Sequence, residues 1–299
     1  MADINTFDSS ILSLLQSKAL EIEKEFEGDM IWYSGDIMAG GDVIFRDEIE
    51  ALQRIPTIHT LTPKRLVVLL TTNGGDPLAV ERMVTTSRNF YKEVHFVVPE
   101  YAYSAGTLFC MSGEKIFMDY FSSLGPIDPQ VQVSGGWVPA LGYLDKVNEI
   151  IQKSLDGTLS AAEFELLRQQ DLAMLRSYEQ ARDLTVALMT EWLVKYKFKN
   201  WKKHQTDKIL KGQDVSDIQK QERAKQIARD LGDHQKWHSH ARSIDISKLE
   251  ELRLRIEDYS KDTEKLKVIR DFVSLAKGWS SRISAATFVY TKATYLFNE

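Results

Sequence analysis

Two short segments of the chain combine small residues with polar groups that could do chemistry. The first, Thr71–Pro77, reads TTNGGDP and contains the pair Gly74 and Gly75. Paired glycines between a strand and a helix let the backbone approach a ligand closely and direct amide hydrogens toward it. Such amides can bind a phosphate or the negative oxygen that develops during acyl transfer. Taken alone, the pair is also typical of a plain turn.

The second segment, Tyr101–Thr107, reads YAYSAGT and places Ser104 between small residues at the predicted start of a helix. The field of a helix N-terminus favours negative charge, so this position suits a nucleophile, although it equally suits an ordinary helix cap. Successive strand-to-helix turns of a parallel sheet lie side by side at the carboxyl ends of the strands. The two segments together therefore predict a site with amide donors in one turn and a hydroxyl in the other.

Short apolar runs alternate with helical patterns over residues 30–130, which predicts an α/β fold. Strands alternating with helices form βαβ units in a mostly parallel sheet, and a continuous apolar run such as LVVLL is typical of a strand covered on both faces. In chain order we predict strand Met30–Tyr33, helix Asp47–Leu52, strand Leu66–Leu70, helix Leu78–Phe90, strand Val94–Val98, helix Ala105–Ser112 and strand Lys115–Met118.

Long helical periodicity follows over about 138–231. It predicts helices Ala140–Leu155, Ala161–Lys195 and Asp217–Leu231, with Ser160 and Glu163 forming a capping box. We therefore expect three parts: an N-terminal amphipathic helix (1–28), an α/β body (29–260) that holds this helical insertion, and a C-terminal helical and aromatic tail (261–299). The end of the tail, TFVYTKATYLF, predicts a final strand or an oligomer contact.

Composition limits the partners and the compartment. The 299 residues are 43% hydrophobic and carry a formal charge of −5, which fits a folded chain with no global attraction to nucleic acid or anionic lipid. A single cysteine, Cys110, excludes an internal disulfide and favours a cytoplasmic location. No stretch is apolar enough to predict an integral membrane segment. Residues 195–229 hold eleven Lys or Arg against four Asp or Glu, a basic segment that could contact a protein partner; nucleic acid is the less favoured alternative.

The order of strand, Asn-Gly-Gly, helix, strand, Tyr-Ser-Ala-Gly and helix resembles the Clp protease/crotonase fold, in the branch that includes the signal peptide peptidases. Two further segments, Ser123–Gln130 (SLGPIDPQ) and Ser239–Ile244 (SHARSI), resemble the serine dehydrogenase proteinase family of that clan. The resemblance covers about residues 30–260. It implies repeated ββα units with a mostly parallel sheet and additional long helices, a peptide or protein substrate, and a homo-oligomer.

The resemblance also implies roles for residues at the two turns. Ser104 matches the nucleophile of the family, and the amides of Gly74 or Gly75 together with that of Ala105 match its oxyanion hole. Removal of one such donor typically lowers the catalytic rate by about 10²–10³-fold. These residues would support an acyl-enzyme mechanism of peptide hydrolysis.

The general base stays open between a lysine and a histidine. The Clp protease has a histidine near the position of Asp128, so its triad is not reproduced, and Asp128 is predicted only as an orienting group. Signal peptide peptidases use a lysine that follows the nucleophile, a position that Lys146 matches; such a lysine needs burial or a nearby cation to lower its pKa. His240, in the third matching segment Ser239–Ile244, and His238, directly before that segment, are the alternative because histidine needs no such tuning.

Two other functions compete with a serine peptidase. A catalytically degenerate Clp-like scaffold or sensor would act through contacts of the basic segment and the tail, and the missing histidine favours it. A crotonase-like enzyme would use the same amides for an acyl-CoA thioester, but no phosphate or adenine site is evident. We expect no cofactor and no metal, because the sequence lacks HExxH, Walker-type and GxGxxG motifs.

Overall fold

A mostly parallel sheet runs through the centre of the protein. In this computed structural model the described residues are 6–55, 64–133, 136–205 and 208–294. The strands are β1 Asp29–Ser34, β2 Arg65–Thr71, β3 Glu93–Val97, β4 Tyr101–Ala102, β5 Lys115–Met118, β6 Ser123–Leu124, β7 Gln130–Val133, β8 Gly136–Pro139, β9 Glu257–Asp258 and β10 Phe288–Tyr290.

Six of these strands form the central sheet in the order β10-β1-β2-β3-β5-β9. Strands β1, β2, β3, β5 and β9 are parallel, and only β10 runs antiparallel, against β1. Strands β4 and β6 pair in parallel beside the carboxyl end of this sheet, while β7 and β8 form an antiparallel hairpin. The expected α/β class with a mostly parallel sheet is confirmed.

Helices lie on both faces of the sheet. They are α1 Thr6–Phe26, α2 Gly41–Leu52, α3 Pro77–Phe90, α4 Ala105–Cys110, α5 Ala140–Leu155, α6 Ala161–Arg168, α7 Leu172–Trp192, α8 Asp217–Gly232, α9 His234–Trp237, α10 Ile246–Glu251 and α11 Thr263–Arg282, with a π-helical turn at Leu193–Lys197 and a 3₁₀ turn at Tyr259–Lys261.

Alternate side chains of the central strands enter two separate cores. Val67 and Leu69 pack in the core that α1 and α11 cover. Leu66, Val68 and Leu70 pack on the opposite face, in the core that contains α2, α3 and α4. Because side chains alternate along a strand, a run that is apolar at every position is buried on both sides, as LVVLL predicts.

The predicted elements of residues 30–130 are observed with ends shifted by a few residues, and α5 and the Ser160–Glu163 capping box are observed as predicted. The single helix predicted over Ala161–Lys195 is wrong. The chain leaves helical geometry after Arg168, and Asp171 caps α7 by accepting hydrogen bonds from the amides of Ala173 and Met174. The capping carboxylate of Asp171 stabilises the start of a new helix, α7, whereas the apolar periodicity alone predicts that the preceding helix continues.

The tail beyond α11 adds a strand to the edge of the central sheet. Of the two alternatives, a final strand is the one observed, and β10 pairs Tyr290 with Trp32 of β1. The last residues of the predicted tail, 295–299, lie outside the described residues. In the four described ranges, no helix combines the length and the apolar character needed to cross a membrane. The same ranges contain no group of three or more His, Cys, Asp or Glu side chains that could hold a metal ion.

Candidate active site

Ser104 occupies a strained turn between β4 and α4. Its backbone has φ 51° and ψ −116°, a conformation that residues other than glycine rarely adopt and that costs of order 1–3 kcal/mol. Although Ser104 is the N-cap residue of α4, its side chain makes no capping hydrogen bond. The serine therefore carries backbone strain without the capping contact that would explain it, and its partly exposed hydroxyl is available to a ligand.

Gly74 lies directly against this serine. A Cβ placed on Gly74 would meet Ser104 Cβ at 2.7 Å, the Tyr103 carbonyl oxygen at 2.8 Å and the Ala105 nitrogen at 3.2 Å. The φ of Gly74 is +112°, so the position excludes other residues by conformation as well as by space. The Gly-Gly turn and the serine turn, 30 residues apart in the sequence, thus touch in the fold.

Backbone pairing holds the two turns together. The Thr72 amide donates to the Tyr101 carbonyl over 3.1 Å, and the Tyr103 amide donates to the Thr72 carbonyl over 2.9 Å. These bonds extend β2 alongside β4. The predicted neighbourhood of the two strand-to-helix turns is therefore observed, and it rests on a parallel bridge rather than on side-chain contacts.

The amides of the Gly-Gly turn are not equivalent. The Gly74 amide donates to the Thr72 hydroxyl oxygen over 3.0 Å, so that donor is occupied. On the other side, the Ile37 amide donates to the Gly74 carbonyl and the Asp76 amide donates to the Ile37 carbonyl, each over 2.7 Å. These bonds fix the peptides on both sides of Gly75. Within the described residues, the amides of Gly75 and Ala105 have no hydrogen-bond acceptor.

A buried threonine connects the serine turn to the loop at Gly125, in the segment Ser123–Gln130. The Thr107 hydroxyl accepts a hydrogen bond from the Gly125 amide over 3.0 Å, and its oxygen lies 2.7 Å from the Ala102 carbonyl oxygen. Thr107 is fully buried in α4. A buried hydroxyl group is stable when it forms hydrogen bonds with buried backbone groups, as it does here. Thr107 thus fixes the loop at Gly125 against the first turn of α4.

The segment Ser239–Ile244 packs against the same loop. The amides and carbonyls of Ile244 and Leu124 exchange hydrogen bonds of 2.8 and 3.0 Å. The Tyr103 hydroxyl lies 3.1 Å from Ser123 Oγ and 3.0 Å from Ser243 Oγ. The third matching segment therefore sits on β6, which itself pairs with the strand that leads into Ser104.

His240 and Asp128 form a polar pair in this region, in which the carboxylate is buried and the ring is partly exposed. His240 Nδ1 lies 2.9 Å from Asp128 Oδ1, and the side-chain nitrogen of Gln130, Nε2, donates to Asp128 Oδ2 over 2.7 Å. Asp128 is 1% exposed and needs such partners, because an isolated buried carboxylate is costly. When Nδ1 carries the hydrogen that the carboxylate accepts, Nε2 of the ring is the nitrogen that can accept a proton.

The two other candidate bases have different surroundings. Lys146 on α5 is 56% exposed, and its ammonium binds the Glu149 carboxylate at 2.9 Å. Lys146 thus lies in contact with solvent and a carboxylate rather than in the apolar surroundings expected of a lysine base. His238 is exposed and ends α9 in the left-handed conformation with φ 60°. Its amide donates to the His234 carbonyl, which gives this residue a role in the turn.

Three residues that contribute to the site were not predicted. Thr72 takes up the Gly74 amide, Ile37 holds the peptides around Gly75, and Thr107 ties Gly125 to α4. Both threonines lie within the two small-residue segments, Thr71–Pro77 and Tyr101–Thr107, so their position in the sequence was a usable signal. Ile37 gives no sequence signal, because it acts through its backbone.

Comparison with known sequences finds a family model that matches the central segment of the chain. Residues 43–165 match the model of the family described as ClpP-like SDH-type serine proteinase. The chain is similar to that family over this segment. The predicted resemblance is therefore confirmed over both turns, Asp128 and Lys146, while the match ends before Ser239–Ile244.

Two curated relatives come from Methanocaldococcus jannaschii. The uncharacterized protein MJ1495 is 30% identical over 113 residues, which are 37% of each chain. The uncharacterized protein MJ0137 is 34% identical over 101 residues, 33% of this chain and 34% of the relative. The chain thus matches about a third of the length of these relatives.

Two solved structures of the 1510-N membrane-bound stomatin-specific protease are also similar. A serine-to-alanine variant has a TM-score of 0.43 at 13% identity and covers 79% of this chain and 81% of its own. A lysine-to-alanine variant in complex with a substrate peptide has a TM-score of 0.34 at 17% identity and covers 55% of this chain and 56% of its own.

Proposed function

We propose that the protein is a serine peptidase that hydrolyses peptide bonds through an acyl-enzyme on Ser104. The observation that carries the proposal is the strained, uncapped Ser104 in contact with Gly74. Attack of Ser104 Oγ on a peptide carbonyl forms a tetrahedral intermediate, whose collapse to an ester releases the amine after it gains a proton. Water then hydrolyses the ester and restores the hydroxyl.

The amides of Gly75 and Ala105 are the donors proposed for the oxyanion. Both lack an acceptor among the described residues, whereas the Gly74 amide is bound by Thr72. Of the two glycines that match the family's oxyanion hole, Gly75 is therefore the donor and Gly74 the residue that makes room for the serine. Donors that are fixed before the reaction stabilise developing charge most effectively.

His240 is the proposed general base, with Asp128 as its positioning residue. Their 2.9 Å contact holds the ring and leaves Nε2 as the proton acceptor, which is the arrangement that a histidine base requires. The bridge between Ile244 and Leu124 of β6, together with the pairing of β6 with the strand that leads into Ser104, supports this proposal. Lys146 is the alternative base, since it lies within the matched family segment.

Replacement of Ser104 tests the nucleophile against the simpler role of a helix cap. Ser216 is a matched control because it is an exposed N-cap whose hydroxyl accepts from the Gln219 amide over 3.2 Å. We expect Ser104→Ala to abolish cleavage of an unfolded protein and to leave stability unchanged. Ser216→Ala should lower stability by about 1 kcal/mol and leave cleavage intact. Unchanged cleavage by Ser104→Ala would exclude the proposal.

Two matched lysines separate the candidate bases. Lys146 and Lys153 lie on α5 and both bind Glu149, at 2.9 and 3.1 Å. If His240 is the base, His240→Gln lowers kcat/KM by 10²-fold or more, about the contribution of acid–base catalysis, and Lys146→Gln matches the control Lys153→Gln. A selective loss in Lys146→Gln would transfer the role to the lysine.

The expectations from the sequence about substrate, assembly, partner and location are proposed together with this function. The substrate is a peptide or protein, the working form is a homo-oligomer, and residues 195–229 contact a protein partner. A reducing, cytoplasmic setting is proposed from the single Cys110, whose burial raises the pKa of its thiol. If the protein folds but no substrate is cut and no reagent acylates Ser104, the scaffold function replaces the peptidase.

A further inference from the structure

A cavity lies at the edge of the sheet opposite Ser104. Its volume is about 1080 Å³, and its walls include Arg65 at the start of β2, His95 in β3 and Lys115 at the start of β5. These positions are at the amino ends of parallel strands, whereas Ser104 follows their carboxyl ends. The cavity is large enough for a small organic molecule.

Much of the remaining wall comes from the basic segment 195–229, including a π-helical turn. This turn, Leu193–Lys197, directs Tyr196 and Lys197 to the cavity, and Phe198 and Trp201 follow it. π-Helical turns are uncommon and occur frequently at functional sites. The Phe198 and Trp201 rings pack edge to face with centroids 5.4 Å apart, so the cavity has an aromatic wall.

The Lys197 ammonium has no counter-ion within the described residues. The nearby carboxylates are already held by arginines: Glu93 by Arg65 at 2.8 Å, Glu114 by Arg88 at 2.9 Å and Glu257 by Arg255 at 3.0 Å. Burial lowers the pKa of Lys197 to about 8, even though Glu257 and Glu114 act in the opposite direction. A desolvated charge without a partner costs free energy that a bound anion would offset.

A second polar group of the wall is also unsatisfied. His204 is 9% exposed and its Nε2 has no hydrogen-bond partner among the described residues. Its ring packs edge to face on Trp201 with centroids 5.5 Å apart. A buried polar atom without a partner destabilises the fold, and such atoms are rare in folded proteins unless they serve a ligand or a function.

The other charges of the cavity balance one another. The wall has three further carboxylates, Glu222, Glu250 and Glu251, which are exposed to solvent and therefore screened. The wall also contains three cationic side chains, Lys115, Arg223 and Arg253, which offset the charge of these three carboxylates. Attraction for an anion is thus local to Lys197 and does not arise from a general positive field.

We propose that this cavity is a binding site for a small organic anion, whose carboxylate or phosphate group contacts Lys197 and whose planar apolar part packs on Trp201. The site is separate from the proposed peptidase centre and gives the basic segment a ligand of defined chemistry. Ligand binding there does not depend on the activity of Ser104, so each proposal can fail alone.

The test is a calorimetric titration with benzoate, phenyl phosphate, inorganic phosphate and neutral benzyl alcohol. Lys195 is the matched control for Lys197, because it lies on the same π-helical turn, is 60% exposed and lies 3.8 Å from Glu191. We expect one of the two aromatic anions to bind the wild type and Lys195→Met with equal affinity. The same anion should bind Lys197→Met at least tenfold more weakly.

Comparison of benzoate with phenyl phosphate decides which anionic group the site prefers. Equal binding to Lys197→Met, equally tight binding of benzyl alcohol, or no binding of either aromatic anion would overturn the proposal. Binding of inorganic phosphate as tight as that of phenyl phosphate would overturn the role of Trp201.

If Lys197→Met does not fold, the wild-type protein is acetylated on its lysines with and without the anion, and the modified residues are mapped by mass spectrometry. The preferred anion should protect Lys197 and leave the reaction of Lys195 unchanged. Equal reaction of Lys197 with and without the anion would contradict the proposal.

Discussion

Substitution of Gly74 tests whether close contact with Ser104 shapes the site. In Gly74→Ala the new methyl group would meet Ser104 Cβ at 2.7 Å and the Tyr103 carbonyl oxygen at 2.8 Å, at a φ of +112°. The backbone conformation costs about 1–3 kcal/mol, and the crowding costs a similar amount. The sum, about 2–6 kcal/mol, is a large part of the 5–15 kcal/mol by which a typical domain is stable.

Two other glycines separate these contributions. Gly40 has φ +99° with nothing within 4 Å of an added Cβ, so Gly40→Ala measures the backbone conformation alone. Gly142 lies within α5 with open space around it and no positive φ, so Gly142→Ala should stabilise the helix by about 1 kcal/mol. Urea denaturation should therefore rank the variants Gly142→Ala, Gly40→Ala and Gly74→Ala from most to least stable.

The rate of Ser104 labelling by a fluorophosphonate completes the test. Because the methyl group can be accommodated only by moving the serine turn, the labelling rate of Gly74→Ala should fall at least 100-fold, the scale expected for a displacement of about 1 Å. Gly40→Ala should be labelled at the wild-type rate. If Gly74→Ala is as stable as Gly40→Ala and is labelled as fast as the wild type, the contact does not shape the site.

Two further predictions concern buried polar groups around the sheet. Burial, with smaller effects from neighbouring cations, lowers the pKa of His95 to about 3, so its stabilising contribution is present above pH 6.5 and is lost toward pH 3. Urea titrations from pH 7 to 4 should show a loss of up to about 1.4 kcal/mol per pH unit that His95→Gln lacks; equal slopes would refute this. Thr107→Val leaves the Gly125 amide unsatisfied and should cost about 1–3 kcal/mol in urea denaturation, whereas Thr107→Ser should cost less; equal losses would contradict the role of the hydroxyl.

The parts of the site that could be predicted depend on local sequence. The run LVVLL predicts a strand buried on both faces, and the segments that follow β2 and β3 predict turns at one edge because parallel strands share a direction. The contact between Gly74 and Ser104 follows from those two inferences. The family resemblance added the roles of the residues, which spacing alone does not supply.

The remainder depends on contacts between distant parts of the chain. Asp128 and His240 are 112 residues apart, and no periodicity predicts that they meet. The choice between the amides of Gly74 and Gly75 depends on a side-chain bond from Thr72, which only coordinates reveal. The exposure of Lys146 depends on how α5 packs. The periodicity of a helix predicts which of its faces is apolar, but it does not predict which elements pack against that face.

Identification of the serine that a fluorophosphonate acylates tests the central proposal most directly. The intact protein is treated with the reagent, digested and mapped by mass spectrometry, with Ser104→Ala treated in parallel. The proposed mechanism predicts one adduct, on Ser104, which is absent from the variant. An adduct on another serine, or none on folded protein, would contradict the assignment of Ser104 as the nucleophile.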